Sequence, residues 1–172
     1  MKKVVVIGPE STGKSTLSEK LAAHFHTVWT PEYARGYLEE LGRPYEQHDL
    51  WEIAKGQLQL EDQMAERANK LLICDTDLYV LKVWSEHKYG QADPRILEQI
   101  ATRPYDLYLL TYIDIPWEED PQREYPDPGM REYFYRIYRD IVVNAGVPWA
   151  DIRGSYEERE KAAIAAVNKL IL

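Results

Sequence analysis

Four apolar residues, Val4–Ile7, run straight into Gly8-Pro9-Glu10-Ser11-Thr12-Gly13-Lys14-Ser15, and apolar residues then return at Leu17, Leu21 and Phe25 with helical spacing. A strand, a glycine-bounded turn and a helix are the structure this order of residues allows. Glycines at 8 and 13 let the backbone turn tightly and come close to a bound group. Successive N–H groups and the N-terminus of the following helix then present positive dipole to an anion. Gly-x-x-x-x-Gly-Lys-Ser in this setting reads as a P-loop, a cradle for nucleotide phosphates. Lys14 would reach the terminal phosphates and Ser15 would give a hydroxyl to Mg²⁺, which takes few protein oxygens. Glu10, Ser11, Thr12 and Thr16 complete the expected binding segment, with ATP and Mg²⁺ as its cofactors.

Further short apolar runs at Leu71–Cys74 and Leu107–Leu110 read as strands buried on both faces, with weaker ones at Thr27–Trp29 and Pro148–Ile152. Helical periodicity lies between them, at Leu50, Ile53, Ala54 and Leu58, at Met130, Phe134, Ile137, Ile141 and Val142, and at Ile164, Val167 and Ile171. Such alternation is the mark of an α/β protein with an open parallel sheet. The chain of 172 residues is expected to form one domain over 1–172. From Ile115 to Met130 four prolines and a glycine exclude most regular structure, so a lid is expected over approximately 115–131.

Composition narrows the partners. With 21 Lys and Arg against 29 Asp and Glu the net charge is −8, the wrong sign for gripping a nucleic-acid backbone. No stretch approaches the roughly 18 apolar residues of a membrane span. The single cysteine, Cys74, sits in an apolar run and reads as a small core residue. Without an export signal or disulfides a cytoplasmic location is expected. The four histidines lack metal-ligand spacing, with His24 and His26 on different sides of a helix. Nothing in the sequence fixes an oligomeric state.

Ligands in open α/β sheets sit beyond the carboxyl ends of strands. Asp75, ending an apolar strand, is therefore expected beside Mg²⁺, while Asp77 is either a second functional acid or the cap of the next helix. Glu32 and Arg35 follow the second strand and should face an acceptor and a phosphate or ribose, respectively. Arg123 and Arg131 are the lid arginines expected to close over the transferring phosphate; Arg136 and Arg139 read as a solvated helix face. Trp29, Tyr33 and Trp51 are candidates to stack on a base.

Together the P-loop, Pro31-Glu32-Tyr33-Ala34-Arg35, Asp49, Gly56-Gln57, Asp75-Thr76-Asp77 and Asp120 with Arg123 resemble the ribosylnicotinamide kinase domain of NadR-type proteins, in the P-loop kinase superfamily. The resemblance spans nearly the whole chain. It implies a three-layer P-loop kinase fold with a five-stranded parallel sheet, and ATP-dependent phosphorylation of the 5′-hydroxyl of nicotinamide riboside to the mononucleotide for NAD synthesis. It implies Glu32 as the base, with Asp77 as second choice, and Lys14, Asp75 and Arg123 as further catalytic groups. Tyr33, Arg35, Asp49 and Gln57 are implied on the nucleoside, and Arg153 and Tyr156, after the last strand, where related kinases hold adenine. NadR-type proteins also carry a DNA-binding module and an adenylyltransferase domain with a His-x-Gly-His motif; neither occurs in these residues, so the expected reaction ends at the mononucleotide. The cradle itself equally suits a kinase for another nucleoside or small alcohol, or a regulatory P-loop ATPase.

Overall fold

Val4, Val5, Val6 and Ile7 are all fully buried, as a strand flanked by strands and covered on both faces must be. In the computed structural model, which describes residues 1–172, they belong to β1 (Lys2–Ile7), the middle of a five-stranded sheet. The chain continues through α1 (Lys14–His24), β2 (Val28–Thr30), α2 (Tyr33–Glu40), α3 (Gln47–Arg67) and β3 (Leu71–Asp75). There follow α4 (Leu78–Tyr89), α5 (Pro94–Thr102), β4 (Leu107–Thr111), α6 (Pro128–Asn144), β5 (Trp149–Ile152) and α7 (Tyr156–Ile171). The strand order is β2-β3-β1-β4-β5 and every pairing is parallel.

Alternation along the strands divides the core between the two faces. Val4, Val6, Ile73, Leu109 and Ile152 pack against Leu17 and Leu21 of α1 and Ala163 and Val167 of α7. Val5, Ile7, Leu72, Leu110 and Tyr108 pack against Val83 of α4 and Phe134, Tyr138 and Val142 of α6. Helix, sheet and helix make three layers, as expected. A third cluster joins Ala34 of α2, Leu50, Ile53 and Ala54 of α3, Leu78 and Leu81 of α4 and Ile96 of α5, fixing α2 beside the ligand-facing edge.

Local chemistry sets the helix ends. The Ser155 hydroxyl accepts from Glu158 N and the Glu158 carboxylate from Ser155 N, a capping box that starts α7. Asp127 caps α6 by accepting from Met130 N, with Pro128 in the first turn. The two weaker strand segments form, as Val28–Thr30 and Trp149–Ile152. Helices α4 and α5 were not singled out by the apolar spacing, and α1 ends at His24, leaving His26 outside it at φ 53°. No helix is long and apolar enough to cross a membrane.

Candidate functional site

Because β1 is flanked by β3 and β4, the chain leaves the sheet in opposite directions on its two sides, and a crevice opens at the carboxyl ends of these strands. The P-loop fills its floor. Gly8 passes so close to β4 that a Cβ there would lie 2.3 Å from Thr111 Oγ1 and 2.8 Å from Thr111 O. Thr12 Oγ1 donates to Pro9 O at 2.7 Å and lies 2.7 Å from Thr111 Oγ1, closing the turn. Two buried arginines brace the loop: Arg131 Nη2 donates to Ser11 O at 3.1 Å and Arg159 Nη1 to Thr12 O at 2.9 Å. With these carbonyls committed, the N–H groups of the loop are left to receive an anion.

Lys14 Nζ donates to Pro9 O at 2.7 Å. Burial holds its pKa below the usual value, against the pull of the Glu32, Asp75 and Glu10 carboxylates. Ser15 Oγ donates to Asp75 Oδ2 at 2.5 Å, joining the first turn of α1 to the end of β3. The other oxygen, Asp75 Oδ1, is buried without a hydrogen-bond partner. Burial, and next the Glu32 charge, raise the Asp75 pKa to about 6. An orphaned carboxylate oxygen beside a hydroxyl is a donor set that fits a hard cation such as Mg²⁺, whose remaining oxygens would come from phosphate and water.

Glu32 is the residue before the first turn of α2, yet its carboxylate makes no capping bond and lines the crevice. Gln57 brackets it, accepting from Tyr33 N at 2.8 Å and donating to Pro31 O at 3.2 Å. The lid lies across the opening. Arg35 pairs with Asp120 at 2.9 Å, Gln122 Nε2 donates to Arg35 O at 3.1 Å, and Arg123 Nη1 donates to Glu118 O at 2.7 Å. Lys88 Nζ and Tyr45 OH reach the two oxygens of Glu124 at 3.0 and 2.7 Å.

Beneath the lid is a cleft of about 470 Å³. Residues 8–16 and Tyr156 line it, together with Trp29, Leu38, Val80, Val83, Trp84, His87, Tyr125, Phe134 and Tyr138; Glu32, Arg35, Asp75 and Arg123 also line it. The expected phosphate and metal residues, the acceptor-side Glu32 and Arg35, and Arg123 thus share one cavity.

Other expected residues do not line it. Asp77 caps α4, accepting from Tyr79 N at 3.0 Å, and its second oxygen accepts from Tyr108 OH at 2.8 Å, so it serves as the cap, away from the cleft. Asp49 accepts a fork from Arg43 and bonds from Tyr37 OH and Glu46 N, a buried brace at the start of α3. Gln57 acts on the backbone around Glu32 rather than in the cleft. The Tyr33 ring packs on α3, where a Cβ on Gly56 would fall 2.1 Å from it. Arg131 donates to Ile115 O and Ser11 O under the lid, so it supports the loop rather than covering phosphate. Arg153 pairs with Asp151 and lies over the Tyr112 ring at 4.0 Å. Of the three proposed stacking residues only Trp29 lines the cleft; Trp51 lies under Lys55 and Arg95.

Sequence reasoning missed Trp84, His87, Tyr125 and the Arg159 brace. Val80, Val83, Trp84 and His87 do fall at i, i+3, i+4 and i+7 after Asp77, one face of a helix and a signal that was there to find. Arg159 gave none.

A model of the AAA domain family matches residues 3–159. The chain belongs to that family. Among curated relatives of this AAA-domain chain, the trifunctional NAD biosynthesis/regulator protein NadR of Salmonella typhimurium (strain LT2) is 27% identical over 175 aligned positions, covering 98% of this chain and 42% of the relative. The chain therefore spans less than half the length of that protein. A crystal structure of NadR protein in complex with NR superposes with TM-score 0.82 at 24% identity over 98% of this chain and 51% of that one. The complex of NadR with NAD and AMP-PNP gives 0.79 at 24% identity, over 98% and 49%. Deoxyadenosine kinase from M. mycoides with bound dATP gives 0.61 at 11% identity, over 98% of this chain and 100% of that one. The P-loop kinase fold expected from the sequence is thus the fold found.

Proposed function

We propose that this chain is an ATP-dependent kinase that phosphorylates the 5′-hydroxyl of nicotinamide riboside, giving nicotinamide mononucleotide for NAD synthesis. One observation carries the reading: the unpartnered Glu32 carboxylate lies between a phosphate cradle and an aromatic pocket within one cavity. The likeness to NadR, solved with NR and with AMP-PNP, supports the choice of both substrates. The pocket chemistry agrees with it. Trp84, Tyr125, Phe134 and Tyr138 offer ring faces, and Glu10, Glu32 and Glu124 add negative charge, a setting suited to a cationic pyridinium base.

In the transfer, Glu32 accepts the proton of the 5′-hydroxyl as its oxygen bonds to the γ-phosphorus. The bond from that phosphorus to the β–γ bridging oxygen breaks and ADP leaves. Lys14 and the loop N–H groups hold the phosphates in line, and Arg123 and Arg35 offset charge on the phosphoryl oxygens. Ser15 and Asp75 would hold Mg²⁺, which would supply positive charge to offset that of the phosphates.

The test is product formation from nicotinamide riboside beside adenosine, uridine and thiamine, with ATP and Mg²⁺. Phosphorylation of nicotinamide riboside at the highest kcat/KM is expected. A stronger reaction with another acceptor would overturn the substrate assignment, and ATP hydrolysis indifferent to every acceptor would favour a regulatory ATPase.

A further inference from the structure

An acidic side chain inside a phosphate cradle is out of place, because its charge repels the group the loop binds. Glu10 is such a residue. The structure turns it away from the loop: both carboxylate oxygens lie 3.2 Å from Glu124 N, in the last part of the lid. Burial raises its pKa, and the Glu124 amide is the largest influence that offsets this.

The attachments of the lid differ in what they join. Tyr45 and Lys88 hold the Glu124 side chain to the far wall, and Asp120 and Gln122 hold the lid to α2. Ser11 Oγ accepts from Glu118 N at 2.9 Å, joining the loop to the front of the lid. Glu10 joins the loop to its back, at the residue preceding Tyr125. The Tyr125 ring lines the cleft among its aromatic residues, edge-on to His87 at 5.1 Å and tilted against Phe134 at 4.9 Å.

We propose that Glu10 is a positioning residue for the nucleoside and not a ligand of the nucleotide: it fixes the Tyr125 wall of the acceptor pocket to the phosphate loop. The kinetic part of the test rests on the kinase reading above; the structural part does not. Glu10→Ala removes the acceptor oxygens, whereas Glu10→Gln keeps one that can still accept from Glu124 N.

In Glu10→Ala the KM for the nucleoside should rise about tenfold, the size expected for losing one charge-assisted hydrogen bond, and well beyond any change in the KM for ATP. Glu10→Gln should recover most of this. Adding Tyr125→Ala to Glu10→Ala should raise KM by less than the product of the separate effects, since both act on the same wall. In the ligand-free protein, trypsin should cut after Arg123 several-fold faster in Glu10→Ala than in the parent, with other sites unchanged and Glu10→Gln again near the parent. Equal impairment in the Gln and Ala variants, a KM rise confined to ATP, or unchanged cleavage after Arg123 would each overturn the proposal. If the parent phosphorylates no nucleoside, the kinase reading fails, while the cleavage comparison still decides the tether.

Discussion

At the scale of single residues, charge in a dry place decides the behaviour of the site. Asp75 is raised to about 6 first by burial and next by Glu32. A folded-state pKa above the unfolded value means that the neutral form is the one the ligand-free fold favours. That contribution is complete below the ordinary carboxylate pKa near 3.8 and is lost as pH rises through about 6. Asp75→Asn should therefore raise the thermal midpoint of the nucleotide-free protein at pH 8, with little effect at pH 4, while abolishing stabilisation by Mg²⁺ with ATP; melting curves at the two pH values check both. Glu32→Gln should lower kcat about 10²- to 10⁴-fold, the usual contribution of a general base, and leave the Kd for ATP nearly unchanged by calorimetry. Lys14→Ala should abolish phosphorylation, because no other lysine lines the cleft. The residue types of the cradle were legible because backbone geometry dictates them: Gly8 has no room for a Cβ. Asp49, Asp77 and Arg153 show the limit of that reading. A carboxylate or guanidinium at the right place in a string serves equally well as a brace, and only the direction of the side chain separates the two uses.

At the scale of elements, the position of α2 governs the part of the cleft proposed for the acceptor, since α2 and the residue before it carry Arg35 and Glu32. Its seat on α3 depends on the Tyr33 ring lying close against Gly56 and on Gln57 gripping the backbone on both sides of Glu32. Gly56→Ala should push the Tyr33 ring off α3, read as a change in tyrosine environment by near-UV dichroism, and should raise the KM for the nucleoside more than that for ATP. The strands of the centre were readable from continuous apolar runs, because a parallel strand is covered on both faces. Helix α4 was harder. It presents Leu78 and Leu81 to packed neighbours and Val80, Val83, Trp84 and His87 to the cleft, so its two faces differ little in polarity and the apolar stripe is blurred. The irregular segment was legible from its prolines, although α6 already begins at Pro128, inside the range expected for it, and its contacts join residues far apart in sequence, such as Glu10 with Glu124 and Tyr45 with Glu124.

At the scale of the whole molecule, the sheet order puts the P-loop, Asp75 and Glu32 at one edge, so nucleotide binding should stabilise the entire fold. At a free nucleotide concentration 100 times Kd the gain is about 2.7 kcal/mol; a rise in thermal midpoint with Mg²⁺ and AMP-PNP, absent with Lys14→Ala, is the expected result. Arg159 shows how far the cradle reaches into the rest of the chain. Buried in the first turns of α7, it donates to Gly154 O, Thr12 O and Tyr112 O and pairs with Asp114, holding three loops on one guanidinium. The shape of the phosphate loop is thus completed by a residue 147 positions further along the chain than the carbonyl it holds. A chain without α7 would keep all of Gly8–Ser15 and still lack the clamp that gives that segment its form.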